Sequence, residues 1–179
     1  MPRLIVLNGP PGSGKSTLAR MYVDEHPLAL NLDVDRIREL IGGWRDHADR
    51  SGLLARAIAL AAARTHLAAG HDVVIPQFLG RPAFLEQVER LAREVGADFH
   101  EIVLLDSKEN ALRRFVDRAA TDSADAASEM LARSGGLAEL STMYDRLLAI
   151  IASRPTARVV PTTEGRPEQA YQDFLNSLS

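Results

Sequence analysis

The stretch that decides the fold is Gly9-Pro10-Pro11-Gly12-Ser13-Gly14-Lys15-Ser16, which fits the pattern G-x-x-x-x-G-K-[ST] without a gap. The short apolar run 4–7 precedes it, and a helical pattern begins at Lys15. The glycines let the backbone direct its N–H groups inward around an anion, and the next helix adds the positive end of its dipole. The sequence therefore predicts a phosphate-binding loop between a strand and a helix.

The side chains of this loop have separate expected roles in binding a nucleotide. Lys15 can reach the β- and γ-phosphates, and the Ser16 hydroxyl can bind Mg²⁺. The expected nucleotide contacts are Gly9, Pro11, Gly12, Ser13, Gly14, Lys15, Ser16 and Thr17. The alternative is a glycine-rich turn with a solvent-exposed lysine, which does not explain why the whole motif stands between a strand and a helix.

Outward from the loop, short apolar segments alternate with longer Ala-, Leu- and Arg-rich helical patterns. Strands are predicted at 4–7, 28–32, 72–75, 99–105 and 158–161, and helices at 15–24, 36–41, 51–69, 83–95, 108–118, 137–153 and 167–178. Ser51 is predicted to cap the third helix. The alternation predicts an α/β fold, a three-layer α/β/α sandwich in which helices cover both faces of a parallel sheet.

Composition limits the class of protein. The chain has 179 residues, a net charge of −3 and no cysteine, which favours one domain over 1–179 and excludes disulfide scaffolds and thiol nucleophiles. No apolar run approaches the roughly 20 residues of a membrane helix, and 4–7 is too short for a signal-peptide core. We therefore expect a cytoplasmic protein with no membrane partner. Mild acidity and only two lysines disfavour nucleic acid as a partner.

Two carboxylates, Asp33 and Asp35, follow the second predicted strand, at the sheet edge where ligands bind in open α/β folds. Phosphoryl transfer to a hydroxyl needs a base or orienting carboxylate and acids that hold Mg²⁺, so these two could divide the roles. Arg38, one turn later, could bind a phosphate or an acceptor group. The alternative is that Asp35 caps the helix beginning at Arg36 while Asp33 is a solvated strand end.

A pair of arginines follows the fourth strand. Arg114 and Arg118 are four residues apart on one helix face, where one guanidinium could stack on adenine and the other reach the transferring phosphates. The Ala-, Ser- and Asp-rich segment 119–135 that follows is a candidate helical lid. The alternative is a solvated basic helix face.

Residues in the connections after strands two and three are predicted to bind the acceptor, the molecule that would receive the phosphoryl group. Trp44, in a glycine-opened polar stretch, could form an apolar wall of an acceptor site. Gln77 and Arg81, just past the third strand, would face the same cleft, and Gln77 could hydrogen-bond the acceptor or a metal-bound water. The alternatives are a tryptophan that anchors a surface loop and a glutamine that is an ordinary loop residue.

Absent motifs narrow the class further. The guanine-reading string N-K-x-D of GTPases does not occur. The third strand runs into Pro76-Gln77 and the fourth into Asp106-Ser107, so the paired acids usual in motors, helicases and AAA+ ATPases do not follow either strand. A nucleoside- or metabolite-kinase type of protein remains.

Together these motifs resemble the P-loop small-molecule kinase group, with its AAA-type (Walker A) ATP-binding site, which includes adenylate kinase, gluconate kinase, chloramphenicol phosphotransferase, the zeta toxins and polynucleotide 5′-hydroxyl kinase. The resemblance implies a five-stranded parallel sheet in the order 2-3-1-4-5, ATP as donor and Mg²⁺ as cofactor. Arg114 to Arg118 is similar to the opening of the adenylate-kinase lid. Asp35-x-x-Arg38 is similar to the catalytic Asp and phosphate-binding Arg of the polynucleotide and zeta-toxin branches. Gln77 stands where many relatives have an acid, so metal binding is expected to rest on Ser16 and the Asp33/Asp35 pair.

The motifs and this resemblance leave three functions open. The first is an ATP-dependent phosphotransferase acting on a hydroxyl of a small molecule such as a sugar, nucleoside or antibiotic. In it Asp35 would orient or deprotonate the hydroxyl, while Lys15, Mg²⁺, Arg38 and Arg118 would stabilise charge in the transition state. The alternatives are a polynucleotide 5′-hydroxyl kinase and a nucleotide-dependent regulatory ATPase or switch.

Overall fold

The computed structural model describes residues 1–121 and 136–179, without the side chains of residues 115 and 118–121. Its strands are β1 (Arg3–Asn8), β2 (Leu30–Asn31), β3 (Val73–Pro76), β4 (Asp98–Leu105) and β5 (Arg158–Pro161). Its helices are α1 (Lys15–Glu25), α2 (Val34–Glu39), α3 (Ala48–Ala68), α4 (Pro82–Val95), α5 (Lys108–Thr121), α6 (Gly136–Ser153) and α7 (Pro167–Ser177). The candidate lid at 119–135 lies outside the described residues, except for the backbone of 119–121 at the end of α5.

The five strands form one sheet in the order β2-β3-β1-β4-β5, and every neighbouring pair is parallel. The central strand β1 is hydrogen-bonded on both sides, with Leu7 opposite Pro76 of β3 and Ile102 of β4. This confirms the strand order that the resemblance implies, and it places the carboxyl ends of β1, β3 and β4 beside the loop at 9–16.

Helices cover both faces of the sheet because successive strand residues point to opposite sides. On one face, Leu4 and Val6 pack with residues of α3 and α4. On the other face, Ile5 and Leu7 pack with residues of α1 and α7. Small residues on α3, among them Ala55, Ala59 and Ala63, are fully buried and let that helix lie close to its neighbours. The predicted three-layer sandwich is confirmed.

Among the boundaries that differ from the prediction, three have a clear physical reason. The second strand is only Leu30–Asn31, because it pairs with β3 alone and Leu28 before it has a left-handed φ of 65°. Helix α2 begins at Val34, two residues early, because Asp33 caps it. Helix α3 begins at Ala48, so the prediction that Ser51 caps it is wrong; Ser51 is a buried residue inside the helix.

Within 1–121 and 136–179, no helix is both long enough and apolar enough to cross a membrane.

Candidate active site

The loop after β1 has the backbone geometry of an anion cradle. Gly9, Gly12 and Gly14 have φ values of 153°, 78° and 94°, which side-chain-bearing residues rarely adopt. At Gly9 a Cβ atom would also lie 2.6 Å from Ser13 Oγ and 2.7 Å from the Leu104 carbonyl oxygen. Gly14 is the N-cap of α1 and provides no side-chain capping bond, so the first N–H groups of the helix remain available to a phosphate.

Lys15 lies folded over this loop. Its Nζ donates to the carbonyl oxygens of Gly9 and Pro10, at 2.9 Å each. These bonds hold the ammonium group above the turn, and its charge also acts on Asp35. The hydroxyl of Ser13 is buried in the loop and has no hydrogen-bond partner among the described residues.

The two aspartates after β2 have different environments. Asp33 Oδ1 accepts from the backbone N–H groups of Asp35 and Arg36, at 2.9 Å and 3.3 Å, so Asp33 is the N-cap of α2. The alternative in which Asp35 is the cap is therefore wrong. Because the backbone of Val34 to Arg36 is already helical, the carboxylate of Asp35 is left out of the capping bonds and lies near Gln77, whose Nε2 is 3.4 Å from Asp35 Oδ2.

The surroundings of Asp35 raise the pKa of its carboxyl group. The main cause is loss of solvation among the neighbouring protein atoms, although the residue keeps an exposed surface, and the second is the negative charge of Asp33. The hydrogen bond from Gln77 and the charges of Arg38 and Lys15 act in the opposite direction. A carboxylate with a perturbed pKa beside a phosphate-binding loop is a candidate functional group.

Gln77 is held in place by its backbone. Its N–H donates to the Leu7 carbonyl oxygen at 3.0 Å, one step beyond the last paired residues of β1 and β3. Its side-chain Oε1 is buried and has no partner among the described residues. A hydrogen-bond acceptor in that position beside Asp35 is suited to a ligand hydroxyl or a water molecule.

Arg38 belongs to a cluster that links α2 to the start of α3. Its Nε donates to Ser51 Oγ at 3.1 Å and its Nη2 to the Ala48 carbonyl oxygen at 3.0 Å. Its guanidinium also lies 5.2 Å from the ring centre of Trp44, and that of Arg45 lies 4.4 Å from the same ring. Ser51 Oγ in turn lies 3.0 Å from the Trp44 carbonyl oxygen and 3.1 Å from that of Ala48, and its single hydrogen is shared between them.

A cleft of about 370 Å³ joins the two predicted metal ligands. Ser16 and Asp33 both line it, together with Arg20, Arg36 and the apolar residues Ile37 and Leu40. Within the described part of the chain, no group of three His, Cys, Asp or Glu residues could hold a metal. The cleft can supply a hydroxyl and one carboxylate, a donor set that suits Mg²⁺ when phosphate and water oxygens complete the shell.

A second cavity, of about 210 Å³, also borders the phosphate-binding loop. Its walls are Gly12, Ser13, Gly14, Thr17, Leu18, Arg114, Thr162, Thr163, Glu164, Gly165, Arg166, Pro167 and Ala170. Arg114 is held there by an ion pair with Asp106, at 2.8 Å, in which both side chains are 13% exposed. The sequence indicated Arg114 but neither Asp106 nor the turn after β5. The local signal for that turn is Gly165, two residues before Pro167.

Two predicted site residues are not joined to this arrangement. Arg81 is exposed at the N-cap of α4, and within the described residues no hydrogen bond or ion pair links it to Asp35 or Trp44. Arg118 has its backbone in α5, but its side chain lies outside the described residues. Their roles stay predictions.

A family model for an AAA domain matches residues 4–139, which is well over half of the chain. The chain therefore belongs to that AAA-domain family. This match agrees with the AAA-type ATP-binding site that the sequence motifs resemble. A comparison with curated protein sequences found no match.

Solved structures of kinases share the fold. A protein from Chloroflexus aurantiacus provisionally assigned as a kinase has a TM-score of 0.68 at 20% identity, over 99% of this chain and 96% of that one. A gluconokinase from Sinorhizobium meliloti has a TM-score of 0.66 at 18% identity, over 99% and 91%. The Mycobacterium tuberculosis APS kinase in complex with AMPPNP and APS has a TM-score of 0.57 at 18% identity, over 99% and 97%. These likenesses confirm the P-loop kinase fold.

Proposed function

We propose that this protein is an ATP-dependent phosphotransferase that moves the γ-phosphoryl group of ATP to a hydroxyl of a small molecule. One observation carries the proposal. Because Asp33 caps α2, the carboxylate of Asp35 stays available beside the phosphate-binding loop, near Gln77 and within the influence of Lys15 and Arg38. The names of two proteins with the same fold, a gluconokinase and an APS kinase, agree with a small hydroxylated acceptor.

The transfer itself would use the phosphate-binding loop together with charged side chains near it. The acceptor oxygen forms a bond to the γ-phosphorus while the bond from that phosphorus to the β–γ bridging oxygen breaks, and ADP leaves. Asp35 orients the acceptor hydroxyl and takes its proton. Lys15, the loop N–H groups and Arg38 stabilise the negative charge that spreads over the transferring group, and Arg118 is proposed to contribute from α5.

Magnesium would bind in the cleft lined by Ser16 and Asp33. The Ser16 hydroxyl and the Asp33 oxygen that does not cap α2 are hard oxygen donors of the kind Mg²⁺ prefers. When bound, the ion neutralises charge on the β- and γ-phosphates. This assignment separates the two aspartates, with Asp33 on the metal side and Asp35 on the acceptor side.

The acceptor would bind between α2, the start of α3 and the segment after β3. Trp44, steadied by Arg38 and Arg45, offers an apolar surface, and the buried Oε1 of Gln77 offers a hydrogen-bond acceptor for a hydroxyl. Arg81 is proposed to reach the same acceptor from the start of α4. Sugars, nucleosides and hydroxylated antibiotics all present the required hydroxyl.

A metabolite-library screen for ADP release tests the proposal. The library should include sugars, nucleosides and antibiotics, each with ATP and Mg²⁺, and phosphorylated product should be identified by mass. Asp35→Asn should bind AMPPNP as the wild type does and lose transfer by orders of magnitude. Asp98→Asn is the matched control, because Asp98 is exposed at the start of β4, at the opposite end of the strands. Equal transfer by Asp35→Asn and wild type would remove Asp35 from the reaction.

The same screen separates the alternatives. A polynucleotide kinase would phosphorylate an oligonucleotide 5′-hydroxyl and bind it with steep salt dependence. A regulatory ATPase would release phosphate at a rate that no acceptor changes. The exposed arginines around Trp44 favour including oligonucleotides among the acceptors.

A further inference from the structure

Asn8 has a fully buried side chain at the end of β1, directly before the phosphate-binding loop. Its Oδ1 accepts from the N–H of Gly9 at 2.8 Å and from the N–H of Leu79 at 2.9 Å. Its Nδ2 donates to the Leu79 carbonyl oxygen at 3.0 Å. A buried amide must satisfy its polar atoms, and this one does so entirely with two backbone segments that are far apart in sequence.

These bonds continue the sheet past the point where its strands separate. Residue pairing between β1 and β3 ends at Leu7 and Pro76, and the Gln77 N–H makes one further bond to Leu7. The backbone of Asn8 still pairs with Val103 of β4, while its side chain replaces the missing backbone bonds on the β3 side. Asn8 therefore links the phosphate-binding loop to the segment after β3, beyond the end of the strand pairing.

The two segments joined by Asn8 carry opposite halves of the site. Gly9 opens the loop that would bind the donor phosphates. Leu79 is 4% exposed and lies two residues after Gln77, whose amide is 3.4 Å from Asp35 Oδ2. A displacement of the Leu79 segment would therefore shift Gln77 and change the contact between its amide and the Asp35 carboxylate.

We propose that Asn8 is a positioning residue that fixes the distance between the donor-phosphate loop and the Gln77–Asp35 pair, and that transmits occupation of the loop to the Leu79 segment. The inference rests on the proposed phosphotransferase function for its catalytic consequence. Transfer between two bound groups is sensitive to displacements of about 1 Å, so losing this link should lower kcat more than it weakens nucleotide binding.

Asn8→Ser tests this role. The shorter serine hydroxyl cannot make all three bonds, and it adds no charge beside the phosphates. We expect its AMPPNP Kd within threefold of wild type and its kcat at least tenfold lower, using the acceptor found in the ADP-release screen. Asn176→Ser, at an exposed position on α7, is the matched control and should change neither value. A parallel loss of nucleotide affinity and kcat, or no loss at all, would overturn the proposal.

Amide hydrogen exchange at Leu79 provides a measurement that needs no acceptor. In the wild type, MgAMPPNP should slow this exchange at least threefold, and in Asn8→Ser the slowing should disappear. If no acceptor is phosphorylated, the proposed function fails. The positioning role of Asn8 is then tested by amide hydrogen exchange at Leu79 alone. If Asn8→Ser does not fold, the wild-type measurement still decides, because unchanged exchange at Leu79 on adding MgAMPPNP contradicts the coupling.

Discussion

At the scale of single residues, Asp35 has a pKa raised chiefly by loss of solvation and also by Asp33. A base must be ionised to accept a proton, so transfer should rise with pH through an acid limb above the ordinary carboxyl value of about 4. We predict that kcat/KM against pH shows this limb in the wild type and that the residual activity of Asp35→Asn lacks it. An identical limb in both proteins would assign it to another group.

The same raised pKa has a consequence for stability. The folded protein takes up a proton at Asp35 more readily than the unfolded chain does, so the contribution of this carboxyl to stability is present at low pH and is lost as the pH rises through the folded pKa. At pH 7 the ionised Asp35 is therefore unfavourable. Asp35→Asn should have a Tm equal to or above that of the wild type at pH 7, which separates its loss of activity from any loss of folding.

Asp106 gives a second prediction at this scale. Besides its ion pair with Arg114, its Oδ1 accepts from the Ser107 N–H and from Asn110 Nδ2. Asp106→Asn should release Arg114 from the wall of the 210 Å³ cavity and weaken AMPPNP binding by about tenfold, since a charge-assisted bond contributes about 1.5–3 kcal/mol. Titration calorimetry measures this directly.

The control for Asp106 is Asp145→Asn. It breaks the Lys108–Asp145 pair, in which Asp145 is 60% exposed, and should leave the AMPPNP Kd within about twofold. Binding to Asp106→Asn as tight as to the wild type would show that the ion pair does not position Arg114 for the nucleotide.

The residues that the sequence identified are those with local signals. The loop from Gly9 to Ser16 is a contiguous motif, and its geometry depends on glycines within it. Asn8 and Asp106 were not identified, because their roles come from Leu79 and Arg114, partners that composition and spacing near each residue do not indicate. The role of Asp33 as the helix cap could not be predicted either, since the backbone conformation of Val34 decides which aspartate caps the helix.

At the scale of elements, the hydrophobic period predicted every described strand and helix, because each buries a face against a neighbour. The ends were less predictable. Helix α3 begins before Ser51 since the turn at 43–47 closes onto it, with the Ser51 N–H bonded to the His47 carbonyl oxygen. β2 is short because a single neighbouring strand supports it.

Helix α3 also contains a glycine with no structural need for one. A Cβ atom added at Gly52 would meet nothing within 4 Å, and its φ lies outside the left-handed region. Gly52→Ala should therefore stabilise the protein by about 0.5–1 kcal/mol in urea unfolding, because alanine loses less backbone entropy in a helix. Gly9→Ala is the contrasting variant, since its Cβ would clash, and it should destabilise. A Gly52→Ala protein less stable than wild type would contradict the open geometry.

At the scale of the whole molecule, one buried ion network joins the sheet to the helices on one face. Glu101 of β4, whose side chain is 1% exposed, accepts from Arg154 Nε at 2.5 Å. Arg154 Nη2 also contacts Glu89 of α4 at 2.7 Å, and Arg154 itself directly follows α6. The network lies away from the candidate site, so its loss tests how the layers hold together rather than how transfer occurs.

Arg154→Met should lower the free energy of unfolding at neutral pH by about 3–5 kcal/mol, because it leaves the Glu101 carboxylate buried without a cation. Burial already raises the pKa of Glu101, and removing Arg154 raises it further. The folded variant therefore binds a proton where the unfolded chain does not, and its deficit should shrink as the pH falls below that raised pKa. The control is Arg93→Met, which removes an arginine that is 75% exposed in its pair with Glu89. It should lower the free energy of unfolding by less than about 1 kcal/mol. Urea unfolding at pH 8 and pH 5 measures both variants. A deficit for Arg154→Met that is the same at the two pH values would mean that Glu101 of the folded variant takes up no proton between them, which contradicts this prediction.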